Sequence, residues 1–312
     1  MRVSFHGVRG SIATAGESTR RYGGNTPCVA VEVDGAPLIF DAGTGIRELG
    51  AALARAARTS PIAVSPIAVN LFFSHLHWDH IQGFPFFGPA YVPGNRVDVW
   101  HARAGADAPL IRDVLAEQMR PPTFPVALET MRAELAFHEV DAGQVIRIGE
   151  ARLHHTAVDH PNGCVAWRVD HAGRSLVYAT DLEHDADRPP SELVALCRGA
   201  DLLIYDAMYT PEEYAGVGGP SRRGWGHGTF ESGAAVAEAA GVHTLCLFHH
   251  DPSHDDAFMD ALGARARRRF ASTIVASEGM VIELGDALDL ASAGKGRMRW
   301  LPEAGSSLAA QG

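Results

Sequence analysis

Apolar positions in this chain come in short runs, separated by polar or glycine-rich stretches. Runs rich in Val, Ile, Leu and Phe predict strands at 29–33 (VAVEV), 37–41 (PLIFD), 69–74 (VNLFFS), 96–100 (RVDVW) and 144–149 (QVIRIG). Further runs follow at 164–170 (CVAWRVD), 175–181 (SLVYATD), 202–207 (LLIYDA), 244–250 (TLCLFHH) and 273–279 (TIVASEG). Their length, β-branched and aromatic content, and flanking turn residues favour strand over helix. A helical period predicts helices over 46–58, 109–119, 191–197, 229–240 and 255–270. Hairpin-like strand pairs dominate the first half, and strands alternate with helices in the second. That mixture predicts an α/β fold of two sheets with helices outside.

The segment RPPTFPV (120–126) stops helix formation and marks a helical, Pro-rich insertion near 101–143. From residue 286 the chain turns to Ala, Gly and Ser, so one domain over 1–285 and a loose tail over 286–312 are expected.

With 312 residues and 46% hydrophobic content, the chain can bury a large core. No apolar stretch approaches the roughly 20 residues that span a bilayer, and MRVSFHGVRGS is too short and polar to read as a signal peptide. Cys28, Cys164, Cys197 and Cys246 are far apart and form no zinc-type pair, so reduced thiols and a cytoplasmic location are expected. A net charge of −10 speaks against a long nucleic acid as partner, because phosphate contacts need clustered Lys and Arg. A small phosphate ester remains compatible, since a bound metal supplies positive charge locally.

The chemistry concentrates in FFSHLHWDHIQGFPFF (72–87), where His75, His77, Asp79 and His80 fall within six positions at the end of an apolar strand. In an extended segment His75 and His77 point to the same side and can share an ion. Asp79 and His80 diverge there and suit a second ion, with the metals of such centres about 3.5–4 Å apart. Further ligand types close other segments: His160 in AVDHPNG, Asp181 in VYATD, and His249 and His250 in LCLFHH. Asp181 after an apolar strand is a natural bridging carboxylate. His250 is the alternative to His249, and His155 the alternative to His160. Trp78, Phe84, Phe86 and Phe87 suit core packing, with stacking on a base as the second use.

The order H-x-H-x-D-H, single His, Asp, last His resembles the metallo-β-lactamase superfamily over about residues 1 to 282. The resemblance implies a four-layered αββα sandwich and two divalent metal ions, zinc first, with manganese or iron as alternatives. It implies His75, His77 and His160 on one ion, Asp79, His80 and His249 on the other, and Asp181 between them. Asp41 in FDAGTG (40–45) resembles the early Asp-Gly turn that orients ligand histidines. Within the superfamily the likeness is to phosphodiesterases, including tRNA 3′-end endonucleases and cyclic-phosphate or cyclic-nucleotide hydrolases. It rests on GVRGSIATAGESTRRYGGNTPCVAV, LLIYDAMYT and WGHGTFESGAAVAEAAG. It implies His227 as proton donor, with Asp206 as its orienting carboxylate, and Asp79 among the catalytic residues. Asp206 stands where the tRNA enzymes usually carry Glu, and their long Gly- and Lys-rich arm has no counterpart here.

The expected activity is therefore a metal-dependent phosphodiesterase acting on a small or cyclic diester or a nucleotide, with no membrane partner and a homodimer left open. Arg222 and Arg223 in GPSRRGWGHG either clamp the phosphate or form a solvated loop pair. Glycines at 216–219 and 224–228 suggest a loop that moves over substrate. The alternatives are a tRNA 3′-end endonuclease, a thioester or lactone/β-lactam hydrolase, an iron oxidoreductase, and a non-catalytic module.

Overall fold

The computed structural model describes residues 1–33, 36–59, 66–103 and 108–285; the tail expected over 286–312 lies outside them. Among the described residues fourteen strands form two seven-stranded sheets. The first sheet contains β1 (Arg2–Gly7), β2 (Cys28–Val33), β3 (Ala36–Phe40), β4 (Ala68–Phe73), β5 (Arg96–Ala102) and β6 (Glu134–Val140). The second contains β7 (Ile146–Ile148), β8 (Ala151–Val158), β9 (Cys164–His171), β10 (Arg174–Ala179), β11 (Leu202–Asp206), β12 (Thr244–Phe248) and β13 (Thr273–Val275). The last strand, β14 (Val281–Glu283), returns to pair antiparallel with β1, giving the order β14-β1-β2-β3-β4-β5-β6.

Both sheets are built alike. In the first, β1, β2 and β3 run antiparallel and β3 to β6 run parallel. In the second, β7 to β10 run antiparallel and β10 to β13 parallel. Hairpins are thus shared between the halves rather than concentrated in the first. The parallel strands β11 and β12 are buried at every position, as layers covering both faces require.

The principal helices are α1 (Ile46–Thr59), α2 (Trp78–Ile81), α3 (Ile111–Gln118), α4 (Ser191–Cys197), α5 (Pro211–Ala215), α6 (Phe230–Ala240) and α7 (Asp256–Arg269). The core between the sheets includes Phe5, Val31, Phe40, Phe72, Trp167, Tyr178, Ile204 and Phe248. A second cluster packs α4, α6 and α7 on the outer face of one sheet, and a third packs α1 and α3 on the other. The result is the four-layered αββα sandwich. Among the described residues no helix is long and apolar enough to cross a membrane.

The stretch 101–143 is woven into the first sheet: it supplies the end of β5, α3 and the edge strand β6. No strand was expected at Glu134–Val140, because its residues are mostly only part-buried and its polar content hides the period. Strand β1 was likewise not expected. It alternates part-buried and buried positions, but only Val3 and Phe5 carry large apolar side chains.

Three expected strands stop short for one physical reason. Asp41 (φ 61°), Asp181 (φ 53°) and His249 (φ 61°) adopt left-handed backbone just beyond β3, β10 and β12. This conformation is uncommon for residues other than glycine and ends strand pairing. Each of the three then projects from a sheet edge rather than continuing the pleat.

Candidate functional site

The expected site residues come from separate segments that end on one edge of the sandwich. Asp41, His75 and Asp181 follow β3, β4 and β10; Asp206 closes β11; His249 follows β12; His160 follows β8. Within each sheet these strands run the same way, and the contacts below bring their carboxyl ends together in the crevice where open α/β sheets collect ligands.

His77, Asp79 and His80 are arranged differently from the extended segment anticipated. His77 is the N-cap of α2, so Asp79 and His80 lie on a helical turn. The Asp79 and His80 side chains converge, with His80 Nε2 3.2 Å from Asp79 Oδ2. The helical turn, not strand alternation, decides that pairing.

Asp181 sits between two groups of imidazoles. Its Oδ1 is 3.8 Å from both His75 Nε2 and His160 Nε2, while its Oδ2 is 3.2 Å from His80 Nε2 and 3.4 Å from His249 Nε2. His249 Nε2 also lies 3.3 Å from Asp79 Oδ2. His75, His77 and His160 form one triad with converging ligand atoms, and Asp79, His80 and His249 form another.

The remaining nitrogens determine the tautomers. His80 Nδ1–H donates to Asp41 Oδ2 at 2.8 Å, and His160 Nδ1–H donates to the Gly226 carbonyl at 2.7 Å. His75 Nδ1–H donates to Ser74 Oγ at 3.1 Å, while Ser74 Oγ–H donates to Asp41 at 2.8 Å. His77 Nε2–H donates to Asn162 Oδ1 at 3.1 Å. His75, His77 and His160 therefore each turn an unprotonated nitrogen toward the cluster, whereas at His80 burial disfavours the imidazolium but Asp79, Asp181 and Asp41 outweigh it and raise the pKa.

These residues fit a pair of divalent cations on three grounds. His75 Nε2 is buried without a hydrogen-bond partner, which is costly unless a cation takes the lone pair. His77 Nδ1 and His160 Nε2 face each other at 3.0 Å while both other nitrogens donate elsewhere, so two lone pairs converge where a cation can take them. Finally, Asp41, Asp79, Asp181 and Asp206 are all buried in one region with imidazoles as their neighbours. Buried carboxylates require compensating positive charge. Burial opposes ionisation of Asp79 and Asp181, yet the neighbouring imidazoles hold both carboxyls well below the usual range. Burial keeps His75 and His160 neutral, the form that binds metal.

His227 stands at the rim beside this cluster, between the rings of His160 (5.3 Å) and His249 (5.1 Å). Its Nδ1–H donates to Asp206 Oδ2 at 2.8 Å, and the backbone N–H of Met208 donates to Asp206 Oδ1 at 2.9 Å. Burial disfavours the imidazolium, but Asp206 outweighs it and the His227 pKa is raised to about 9. Thr229 caps α6 with a Ser232 capping box, which fixes where the His227 loop ends.

The alternatives lie elsewhere. His250 Nε2–H donates to the Ala276 carbonyl at 2.8 Å, and His155 on β8 packs against Trp167 at 5.1 Å. Arg223 pairs with Asp185 at 2.9 Å and lies over the Tyr214 ring at 4.8 Å. Arg222 stacks on Trp225 at 4.5 Å and approaches Tyr209, which meets the His227 ring edge-on. Neither arginine touches the metal-type cluster.

Sequence reasoning missed several supports. Tyr178 OH, from the opposite sheet, donates to Asp41 Oδ2 at 2.8 Å. Ser11 N–H donates to Asp79 Oδ2 at 2.8 Å, and a Cβ on neighbouring Gly10 would strike the His249 ring. Glu183 accepts from Gly224 N–H (2.8 Å), Gly226 N–H (2.7 Å) and Tyr214 OH (2.8 Å). The glycine loop expected to move is thus tied down at Gly224 and Gly226. The one signal available was the placement of Glu183 two residues after Asp181.

Comparison with known proteins agrees with the geometry. Residues 37–250 match the family model described as a beta-lactamase superfamily domain. A Ribonuclease Z of Haloarcula marismortui is 26% identical over 89% of this chain and 94% of its own length. Two solved structures share the fold. One is a diphosphatase of the PhnP family (TM-score 0.64, 19% identity, 92% of this chain and 99% of that one). The other is the short form of human tRNase Z (TM-score 0.59, 18% identity, 91% of this chain and 100% of that one). Because the matched domain covers well over half of the chain and contains the His and Asp cluster, this protein belongs to the metallo-β-lactamase superfamily.

Proposed function

We propose that this chain is a metal-dependent phosphodiesterase that hydrolyses a small or cyclic phosphodiester. The observation that carries the reading is the His227–Asp206 pair, joined at 2.8 Å and set beside the His and Asp cluster. The names of the Haloarcula Ribonuclease Z and of the PhnP-family diphosphatase point to related phosphate chemistry.

In this reading His75, His77 and His160 hold one divalent ion, Asp79, His80 and His249 hold the second, and Asp181 reaches both. We assign zinc, with manganese or iron as alternatives. Bound there, the two ions supply a water activated near neutral pH and positive charge against the phosphate oxygens. The chain's residues do the rest. Asp41, Ser74, Asn162 and the Gly226 carbonyl hold the imidazoles in their ligand tautomers. Asp206 keeps the Nδ1 proton of His227, leaving Nε2 to carry the proton that the departing alkoxide needs. Buried, unpaired cysteines are compatible with the cytoplasm, which we propose as the location.

Turnover of bis-p-nitrophenyl phosphate, cyclic nucleotides, cyclic ribose phosphates and a pre-tRNA by metal-loaded protein tests the proposal. Hydrolysis of none of these diesters with zinc, manganese or iron would reject it. The second reading, tRNA 3′-end processing, is favoured by the near-full-length match to a Ribonuclease Z, and the pre-tRNA arm decides it.

A further inference from the structure

Two aromatic side chains in the segment that follows His77 are left open to solvent. Trp78 is 62% and Phe86 56% exposed, whereas Phe84 and Phe87 of the same segment are fully buried. With Phe124, whose ring meets Phe86 edge-on at 5.6 Å, they line a groove of about 720 Å³. That volume lies within the range of small-molecule sites, about 300–1,000 Å³. Trp78 ties the groove to the cluster through the chain, since it stands between His77 of one triad and Asp79 of the other.

The polar groups around the groove suit a neutral heterocycle. Gln118 Nε2–H donates to the Ile81 carbonyl at 3.1 Å, and Gln82 Nε2–H to Thr26 Oγ1 at 3.4 Å. Each side-chain oxygen has no protein donor among the described residues, so both can accept from ring or exocyclic N–H groups. Arg47 is the one charged side chain among the described lining residues, and it is ion-paired with Glu48. A groove that followed a phosphate backbone would need several free cations. Exposed aromatic faces flanked by amide acceptors instead hold a planar ring by stacking and hydrogen bonds.

We propose that this groove binds the nucleobase of a nucleotide-sized phosphodiester whose phosphate lies at the His and Asp cluster. The inference rests on the phosphodiesterase reading and adds the substrate class: a base-bearing diester.

The test compares adenosine 2′,3′-cyclic phosphate with the base-free 1-O-methylribose 2′,3′-cyclic phosphate, on metal-loaded wild type and on Phe86→Ala and Phe124→Ala. Stacking contributes about 1–3 kcal/mol per base, so Phe86→Ala should raise KM for the adenosine diester about 5- to 150-fold. KM for the base-free diester, and kcat for both, should stay near wild type. Equal KM values for the two diesters in wild type, or equal effects of Phe86→Ala on both, would overturn the groove assignment. If neither diester turns over, the wider diester panel above decides the phosphodiesterase reading, and calorimetric titration with adenosine monophosphate separately decides the groove. Binding that Phe86→Ala and Phe124→Ala both weaken supports the groove, and absence of binding to wild type rejects it.

Discussion

The Glu183 carboxylate accepts the backbone N–H of Gly226 at 2.7 Å, while the carbonyl of the same glycine accepts Nδ1–H of His160 at 2.7 Å. One glycine thus connects an acidic side chain two residues beyond Asp181 to an imidazole of the cluster. It lies next to His227, so it also sets the position of the proposed proton donor. Gly226 has no substitute here: its φ is 82°, and a Cβ would strike the His160 ring. Glu183→Gln should therefore lower metal affinity or turnover by about 10- to 100-fold, the usual cost of losing an outer hydrogen-bond partner. Metal content and kcat measured together on the purified variant check this; unchanged values in both would make Glu183 merely a surface acid.

His227→Ala should keep both ions and cut hydrolysis of an alkyl phosphodiester by about 10²- to 10⁴-fold, the usual contribution of proton donation. Bis-p-nitrophenyl phosphate, whose leaving group scarcely needs a proton, should suffer far less. Asp206→Asn should show the same asymmetry more weakly, because Asp206 only orients and charges the ring. Equal losses on both substrates, or ions lost from either variant, would reject the role.

Asp181→Ala removes the carboxylate whose two oxygens face opposite triads, at 3.8 Å from His75 and 3.2 Å from His80. Elemental analysis should show ions lost from the purified variant, and activity should fall with them. Two ions at full occupancy with full activity would remove Asp181 from the bridging position.

Chelation should lower thermal stability, since it leaves buried carboxylates and imidazole lone pairs uncompensated. A ligand present at 100 times its Kd stabilises the native state by about 2.7 kcal/mol. At about 2–4 °C per kcal/mol for chains of comparable size, the Tm should fall by roughly 5–10 °C and recover on adding zinc. A Tm indifferent to chelator and metal would contradict the cation fit.

Asp41→Asn puts an amide where His80 Nδ1–H, Ser74 Oγ–H and Tyr178 OH all donate to one oxygen. Leaving buried donors unmatched costs about 1–3 kcal/mol. The variant should unfold at lower denaturant concentration and bind metal more weakly. Wild-type behaviour in both measurements would show that Asp41 serves as a turn cap only.

How much of this was legible beforehand differs by residue. His75, His77, Asp79 and His80 lie within six positions, and a cluster that local survives any error in strand order. The apolar runs at 202–207 and 244–250 likewise revealed β11 and β12, because strands buried on both faces admit almost nothing polar. His160, Asp181 and His249 were found as chemistry-bearing residues at the ends of such runs, helped by resemblance.

What the sequence determined by itself was therefore an α/β class of two sheets with outer helices and the residues available for the site, since both depend on local period and residue type; the four-layered order came with the resemblance. Tertiary structure decided which partners they meet. Left-handed backbone at Asp41, Asp181 and His249 turns three strand ends into the crevice, and no apolar period encodes that. Asp41 meets Tyr178 across 137 positions, and Glu183 reaches Gly226 across 43, by register between sheet and loop. Phe84 and Phe86 are chemically identical, yet one is buried and the other exposed, because burial depends on what the rest of the fold places against each ring.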